Sequence, residues 1–208
     1  MSSRRGASSS RHGRSTSRSV SSRTRGVFQG PGAVRTRNTG RVTTPWLPGP
    51  DQWQHPVRAE LSTGHHLRSI HADDTDLDML AVMGSRERLW SIYGEAWGWP
   101  PADMTAEADR ADLQRHWEEA QAHQSFNYAL FDRDETELIG CCYIDPPEKV
   151  GADAEISWWV RDEYVDSRVE QALDLFVPDW IATEWPFRRP RYVGRDLTWS
   201  AWLALPDC

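Results

Sequence analysis

Apolar and polar positions change period several times along the chain, and each change marks an element. Residues 66–71 alternate weakly and predict a first strand. Asp73-Asp74-Thr75 then opens a helix, with Thr75 and Asp78 at capping-box spacing. In the next helical stretch, Leu89, Ile92, Tyr93, Ala96 and Trp97 fall on one stripe, which Gly98 and the pair Pro100-Pro101 terminate. Thr105 is placed to cap a third helix running to about Gln124. Its apolar stripe of Leu113, Trp117 and Ala120 is thin, so it reads as a surface helix.

The pattern then turns to strands. Residues 126–131 and 138–144 read as a hairpin around the polar turn 132–137, and Pro146-Pro147 ends it. Ala152, Ala154, Ile156, Trp158 and Val160 alternate with Asp153, Glu155, Ser157 and Arg161, the clearest strand of all. Val169, Ala172, Leu173, Phe176, Val177, Trp180 and Ile181 then form one continuous helical face, with Pro178 predicting a kink or break inside it. A short strand at 191–193 and a closing helix at 199–205 complete the order. Strand, helices, antiparallel strands, then a strand–helix–strand unit describe an α/β domain with a mixed, mostly antiparallel central sheet flanked by helices.

Charge changes this picture at one end. The 208 residues carry 24 Lys and Arg against 31 Asp and Glu, a net charge of -7. Residues 1–50 hold ten Arg and no acid, so the remainder is strongly acidic. Such a body is a poor duplex-DNA binder, because that affinity rests on neutralising phosphates. Residues 1–25 contain ten Ser and seven Arg and cannot bury enough apolar surface to offset ordering entropy, which predicts a disordered tail. The domain plan is therefore a basic tail over 1–50, a linker over 51–64 and a folded unit over 65–208. Weak nucleic-acid contact is expected of the tail alone. Arg4-Arg5 precedes no apolar segment, so an export signal is not expected. No run of about 18 apolar residues exists, so no membrane helix is expected either. The three Cys (Cys141, Cys142, Cys208) make no disulfide framework and fit a reducing, cytoplasmic setting.

Three stretches, Phe-Asn-Tyr-Ala-Leu-Phe (126–131), Leu-Ile-Gly-Cys-Cys-Tyr-Ile (138–144) and Ala-Glu-Ile-Ser-Trp-Trp-Val-Arg-Asp-Glu-Tyr (154–164), resemble the GNAT acyltransferase superfamily. The resemblance implies a central hairpin, a splayed strand that holds an acyl-CoA arm, and a helix receiving the pyrophosphate. It further implies acetyl-CoA as cosubstrate, no metal, and a small-molecule or peptide amine as acceptor. The cofactor would be held by Trp158, Trp159, Val160, Ser167 and Arg168, with backbone N–H groups near the two tryptophans receiving the oxyanion. Glu155, on the polar face of the same strand, is the candidate base, and Tyr143 and Tyr164 are candidate proton donors to the thiolate. The sequence departs from the family at the turn where small residues let amides approach phosphates. Asp166, Arg168 and Glu170 stand at those positions, and Asp166 with Ser167 equally suits a helix cap. The C-terminus is also shorter than the family's. An inactive scaffold that has lost CoA is the alternative function.

The remaining chemistry is sparse. His116 and His123 are expected to face solvent, and Cys141 and Cys142 to point to opposite sheet faces. Of the twelve tryptophans, Trp90, Trp117, Trp158 and Trp180 fit core stripes, whereas Trp97 and Trp99 flank Gly98 as candidates for a ligand-facing rim.

Overall fold

The structure is a computed structural model and describes residues 46–208. The predicted basic tail lies, up to residue 45, outside the described residues. A six-stranded sheet is ordered β1-β2-β3-β4-β5-β6 along the sequence. The strands are β1 (Arg58–Glu60), β2 (His66–Ser69), β3 (Phe126–Phe131), β4 (Leu138–Asp145), β5 (Ala154–Val160) and β6 (Pro190–Tyr192). The helices are α1 (Thr75–Gly84), α2 (Arg86–Trp97), α3 (Ala106–Gln121), α4 (Arg168–Glu184) and α5 (Trp199–Leu203). All neighbouring strands pair antiparallel except β5 and β6, which run parallel because α4 carries the chain back across the sheet.

Period-two alternation along the central strands divides the core into two layers. Tyr128, Cys142, Ile156, Trp158 and Val160 pack with Leu173, Val177, Trp180 and Ile181 of α4. On the other face, Ala129, Cys141, Tyr143 and Trp159 pack with Ala81, Val82, Leu89, Tyr93 and Leu113. The opposite orientation expected of Cys141 and Cys142 follows from their adjacency on one strand. Gly140 is required where β4 meets β5: a Cβ there would lie 2.0 Å from the Trp159 carbonyl oxygen.

Several expectations are corrected. Residues 51–64 are not a linker, since they supply β1, and Leu61 and Trp53 join the core above α4. The first helix is entered through a 3-10 turn whose capping box joins His71 and Asp74, not Thr75 and Asp78. Helix α3 ends at Gln121. Helix α4 runs unbroken through Pro178 to Glu184, its buried face holding it together where one backbone donor is missing. Trp90 and Trp117 are 42% and 38% exposed, because their helices turn other residues inward. His116 and His123 are buried instead. Among the described residues, no helix is long and apolar enough to cross a membrane.

Candidate active site at the β5–β6 fork

The parallel pairing of β5 with β6 covers only Ala154–Ile156, extended by a hydrogen bond from the Val193 N–H to the Ile156 carbonyl (2.8 Å). From Ser157 onward the two chains diverge. Antiparallel ladders alternate, so every second residue of β5 directs both backbone groups toward β4. Arg161 N–H donates to the Ile139 carbonyl (2.7 Å), which places Glu155, Ser157 and Trp159 in that set. Ile156, Trp158 and Val160 therefore face the fork. The Trp158 N–H is the first donor beyond the end of strand pairing. The Trp159 amide, expected to share the oxyanion role, is committed to β4 instead. The Val160 carbonyl accepts from the Arg88 guanidinium, which also pairs with Asp162.

Side chains close round this edge from both faces. Toward α4, Trp158 Nε1 donates to Asp174 Oδ1 (2.7 Å), and Arg195 stacks on the same indole at 4.7 Å while donating to the same oxygen (3.0 Å). Toward α2, the buried Tyr93 phenol lies beside Ser157, the residue at which the fork opens. Its ring lies 4.9 Å from Trp97 and 5.1 Å from Trp199. Burial pushes the Tyr93 phenol up, so it stays a proton donor through neutral pH. Trp97, at the end of α2, is partly exposed, whereas Trp99 is 3% exposed and fills the core; of the expected rim pair only Trp97 is placed for it.

The three expected catalytic side chains do not converge here. Glu155 is 7% exposed; it accepts from Arg191 (2.8 Å) and from the Glu148 N–H (3.1 Å). Its carboxylate is thus committed to the β5–β6 seam and ill placed to take a substrate proton. Tyr143 is buried among Tyr93, Trp97 and Trp99, and its hydroxyl accepts from Trp159 Nε1 (2.7 Å). Tyr164 donates to Glu137 (2.7 Å) across the β4 side, and burial there pushes its phenol up to about 12. Tyr93, Arg195 and Trp199 were not singled out by sequence. Tyr93 was visible only as one member of an apolar stripe, and no local signal ties it to Ser157.

The turn after β5 holds the expected phosphate-binding residues in an unexpected state. Asp166 adopts the left-handed conformation (φ 59°), which aims its N–H into the start of α4. Glu170 Oε2 accepts that N–H (2.6 Å), while Ser167 Oγ accepts from the N–H groups of Val169 (3.2 Å) and Glu170 (3.3 Å). Three amides that would meet an anion are therefore satisfied by the chain itself. The exposed Arg168 side chain makes no ion pair among the described residues. At the fork Trp158 keeps an N–H beyond the paired stretch while Arg88 occupies the Val160 carbonyl; the turn, in this state, does not fit a diphosphate.

A second ionisable cluster lies under α1 and α3, away from the fork. Asp78 and Asp109 share a hydrogen bond beside Asp112, His116 and Cys141, around a space of about 10 Å³. Burial and mutual repulsion push Asp78 up, and burial raises Asp109 to about 7. His116 lies between Asp112 (3.4 Å) and Glu119 (3.3 Å), which raise its pKa against desolvation. Among the described residues, no group of three or more His, Cys, Asp or Glu is arranged to hold a metal.

Among curated proteins none matches the chain. Among solved structures, one described as a probable acetyltransferase is 16% identical, with a TM-score of 0.52 over 65% of this chain and 72% of that one. Ribosomal-protein-S5-alanine acetyltransferase from Vibrio fischeri is 18% identical (TM-score 0.46; 61% and 67% of the two chains). Mycobacterium smegmatis RimJ, in complex with CoA-disulfide, is 17% identical (TM-score 0.44; 65% of each chain). The present chain thus spans about two thirds of the length of these structures. The family described as "Acetyltransferase (GNAT) domain" matches residues 66–191, from β2 through β6. That match takes in the fork, the turn and α4, more than half of the sequence, and the chain belongs to the GNAT acetyltransferase family.

Proposed function

We propose that the domain transfers an acyl group from acyl-CoA to an amine at the β5–β6 fork. The observation that carries this reading is the end of β5–β6 pairing at Ile156, which leaves the Trp158 N–H just past the last strand pair. Acyl-CoA supplies the activated thioester. Trp158 N–H serves as the donor to the oxyanion that develops on the acyl carbonyl, preorganised by the ladder that fixes β5. The phenol of Tyr93, kept protonated by burial, donates to the departing thiolate. The proton that the amine nitrogen loses as the amide forms passes to solvent, from which the phenolate is reprotonated. Glu155 and Arg191 act by position, pinning β6 to β5 so that the fork starts at a fixed residue. The acceptor is an amine that enters unprotonated, whether on a small molecule or a peptide. Holding both reactants at one edge supplies much of the acceleration.

A second reading is favoured by the self-satisfied turn: a scaffold of the same fold that no longer uses CoA. One experiment separates the two. Full-length protein is given acetyl-CoA with a panel of small amines and peptides bearing free α-amino groups, and thiol release is followed. The enzyme reading expects amine-dependent release that Y93F lowers roughly a hundredfold without unfolding the protein. Absence of release, together with no change in melting temperature at millimolar acetyl-CoA, supports the second reading.

A further inference from the structure

Past β6 the chain packs against α2 at the fork and then returns to the loop between β4 and β5. Helix α5, five residues long, sits in the middle of this strap and is too short to hold its own place. Contacts at the two ends of the strap set that place. At the near end the Gly194 N–H donates to the Leu197 carbonyl (2.7 Å), and Thr198 Oγ1 caps α5 by accepting the Ala201 N–H (3.2 Å). At the far end the Val150 N–H donates to the Pro206 carbonyl (2.9 Å), and the Cys208 N–H to the Glu148 carbonyl (2.9 Å). Between those two bonds, Lys149 Nζ meets Asp207 Oδ1 at 2.7 Å and lies 5.1 Å from the centre of the Trp202 ring. The Lys149 side chain is 11% exposed, so its charge is largely covered by the strap it holds.

The loop that carries Lys149 is itself fixed to the β5–β6 seam. Arg191 donates to the Val150 carbonyl (3.0 Å) as well as to Glu155, and Glu155 accepts the Glu148 N–H. From this anchor a run of ring contacts reaches the fork. The buried Trp202 ring lies 5.5 Å from Trp199, which lies 5.1 Å from Tyr93 and 4.8 Å from Trp97. Gly194, at φ 85°, leaves room for Trp199, since a Cβ there would lie 2.9 Å from its Nε1. We propose that Lys149 is a positioning residue for acyl transfer: it latches the strap over 194–208, so that Trp199 holds the Tyr93 phenol at the fork. The part that Tyr93 plays in the chemistry rests on the acyl-CoA reading; the latch does not.

The test compares full-length wild type, K149M and K149R, with melting temperatures as the check on folding. Amide hydrogen exchange over residues 198–208 reads the latch, and amine-dependent thiol release from acetyl-CoA reads turnover. K149M keeps an apolar stem and loses the charge, so exchange in the strap should quicken about three- to tenfold while β3 and β4 keep their wild-type rates. Its kcat should fall about three- to tenfold with KM for acetyl-CoA little changed, because the strap orients a group that acts on the leaving thiolate. K149R returns a charge to Asp207 and Trp202 and should recover most of both losses. Strap exchange in K149M equal to wild type overturns the latch, and K149R exchanging as fast as K149M does the same. Quickened exchange with unchanged kcat overturns the positioning role and leaves the acyl-CoA reading intact. If exchange quickens in K149M and recovers in K149R, but wild type releases no thiol with any amine, the latch stands and its catalytic role falls together with the acyl-CoA reading.

Discussion

The buried acids beneath α1 and α3 make stability fall as pH rises, and Asp109→Asn isolates the effect. Asp109 is 2% exposed, shares a hydrogen bond with Asp78, and titrates near 7 where an unfolded chain would titrate near 3.8. Two adjacent buried carboxylates cannot both ionise cheaply, so the folded pair keeps a proton that the unfolded chain has released. A carboxyl whose folded pKa is raised loses stability as pH climbs from the unfolded value to the folded one. The window here is therefore about pH 4 to 7. Each retained proton gives a slope of about 1.4 kcal/mol per pH unit, or roughly 3 kcal/mol between pH 5 and 7. For a domain of this size that is a fall of roughly 6–12 °C in melting temperature.

Neighbouring groups leave this sign intact. Asp145, buried and pushed up to about 7, adds a decline over the same range. His116, with its pKa raised, stabilises at low pH and loses that contribution as pH rises through its folded value. Asp112, held low by His116 and Arg115 against its burial, acts only near or below pH 4. Urea denaturation of wild type and D109N at half-unit steps from pH 5 to 7.5 is the assay. The variant should show a shallower decline and should match or exceed wild type at the alkaline end. Parallel curves would refute the shared-proton account of this pair.

Three further outcomes follow from contacts in the sheet and the fork. G140A should lower stability by several kcal/mol or prevent folding, since the added methyl would meet backbone at Trp159 and Val160 rather than a side chain able to yield; urea midpoints measure this. R191M strands the buried Glu155 carboxylate and should cost about 3–5 kcal/mol, while the double variant R191M/E155Q should recover part of it, read by thermal denaturation as a double-mutant cycle. In Y93F, kcat should fall with KM little changed, because the lost hydroxyl acts on the leaving group and the ring keeps its stack on Trp97; an unchanged kcat would remove Tyr93 from the chemistry.

Much of the fold was readable from the chain because it rests on local periodicity. The alternation of 152–160, the helical face from Val169 to Ile181, and the Gly98 and Thr105 boundaries each need only neighbours in sequence. Membership of an acyltransferase family was legible for the same reason, since the strand–turn–helix unit is contiguous. The expected disturbance at Pro178 did not break α4, because contacts from Leu173 to Ile181 span the defect.

What the linear order could not supply was which side chains meet across the sheet. Glu155 reads from sequence as the candidate base, and only the fold brings Arg191, thirty-six residues on, against it. Tyr93 comes beside Ser157 only because α2 packs on the face of β5 that carries Ser157 and Trp159. His116 looked solvent-facing because its acidic neighbours mark a polar stripe; tertiary packing turned that stripe inward with its charges paired. Periodicity encodes which face of an element is apolar, whereas ion pairing, backbone divergence and the capture of amides by Glu170 depend on distances between elements, which only the packed chain sets.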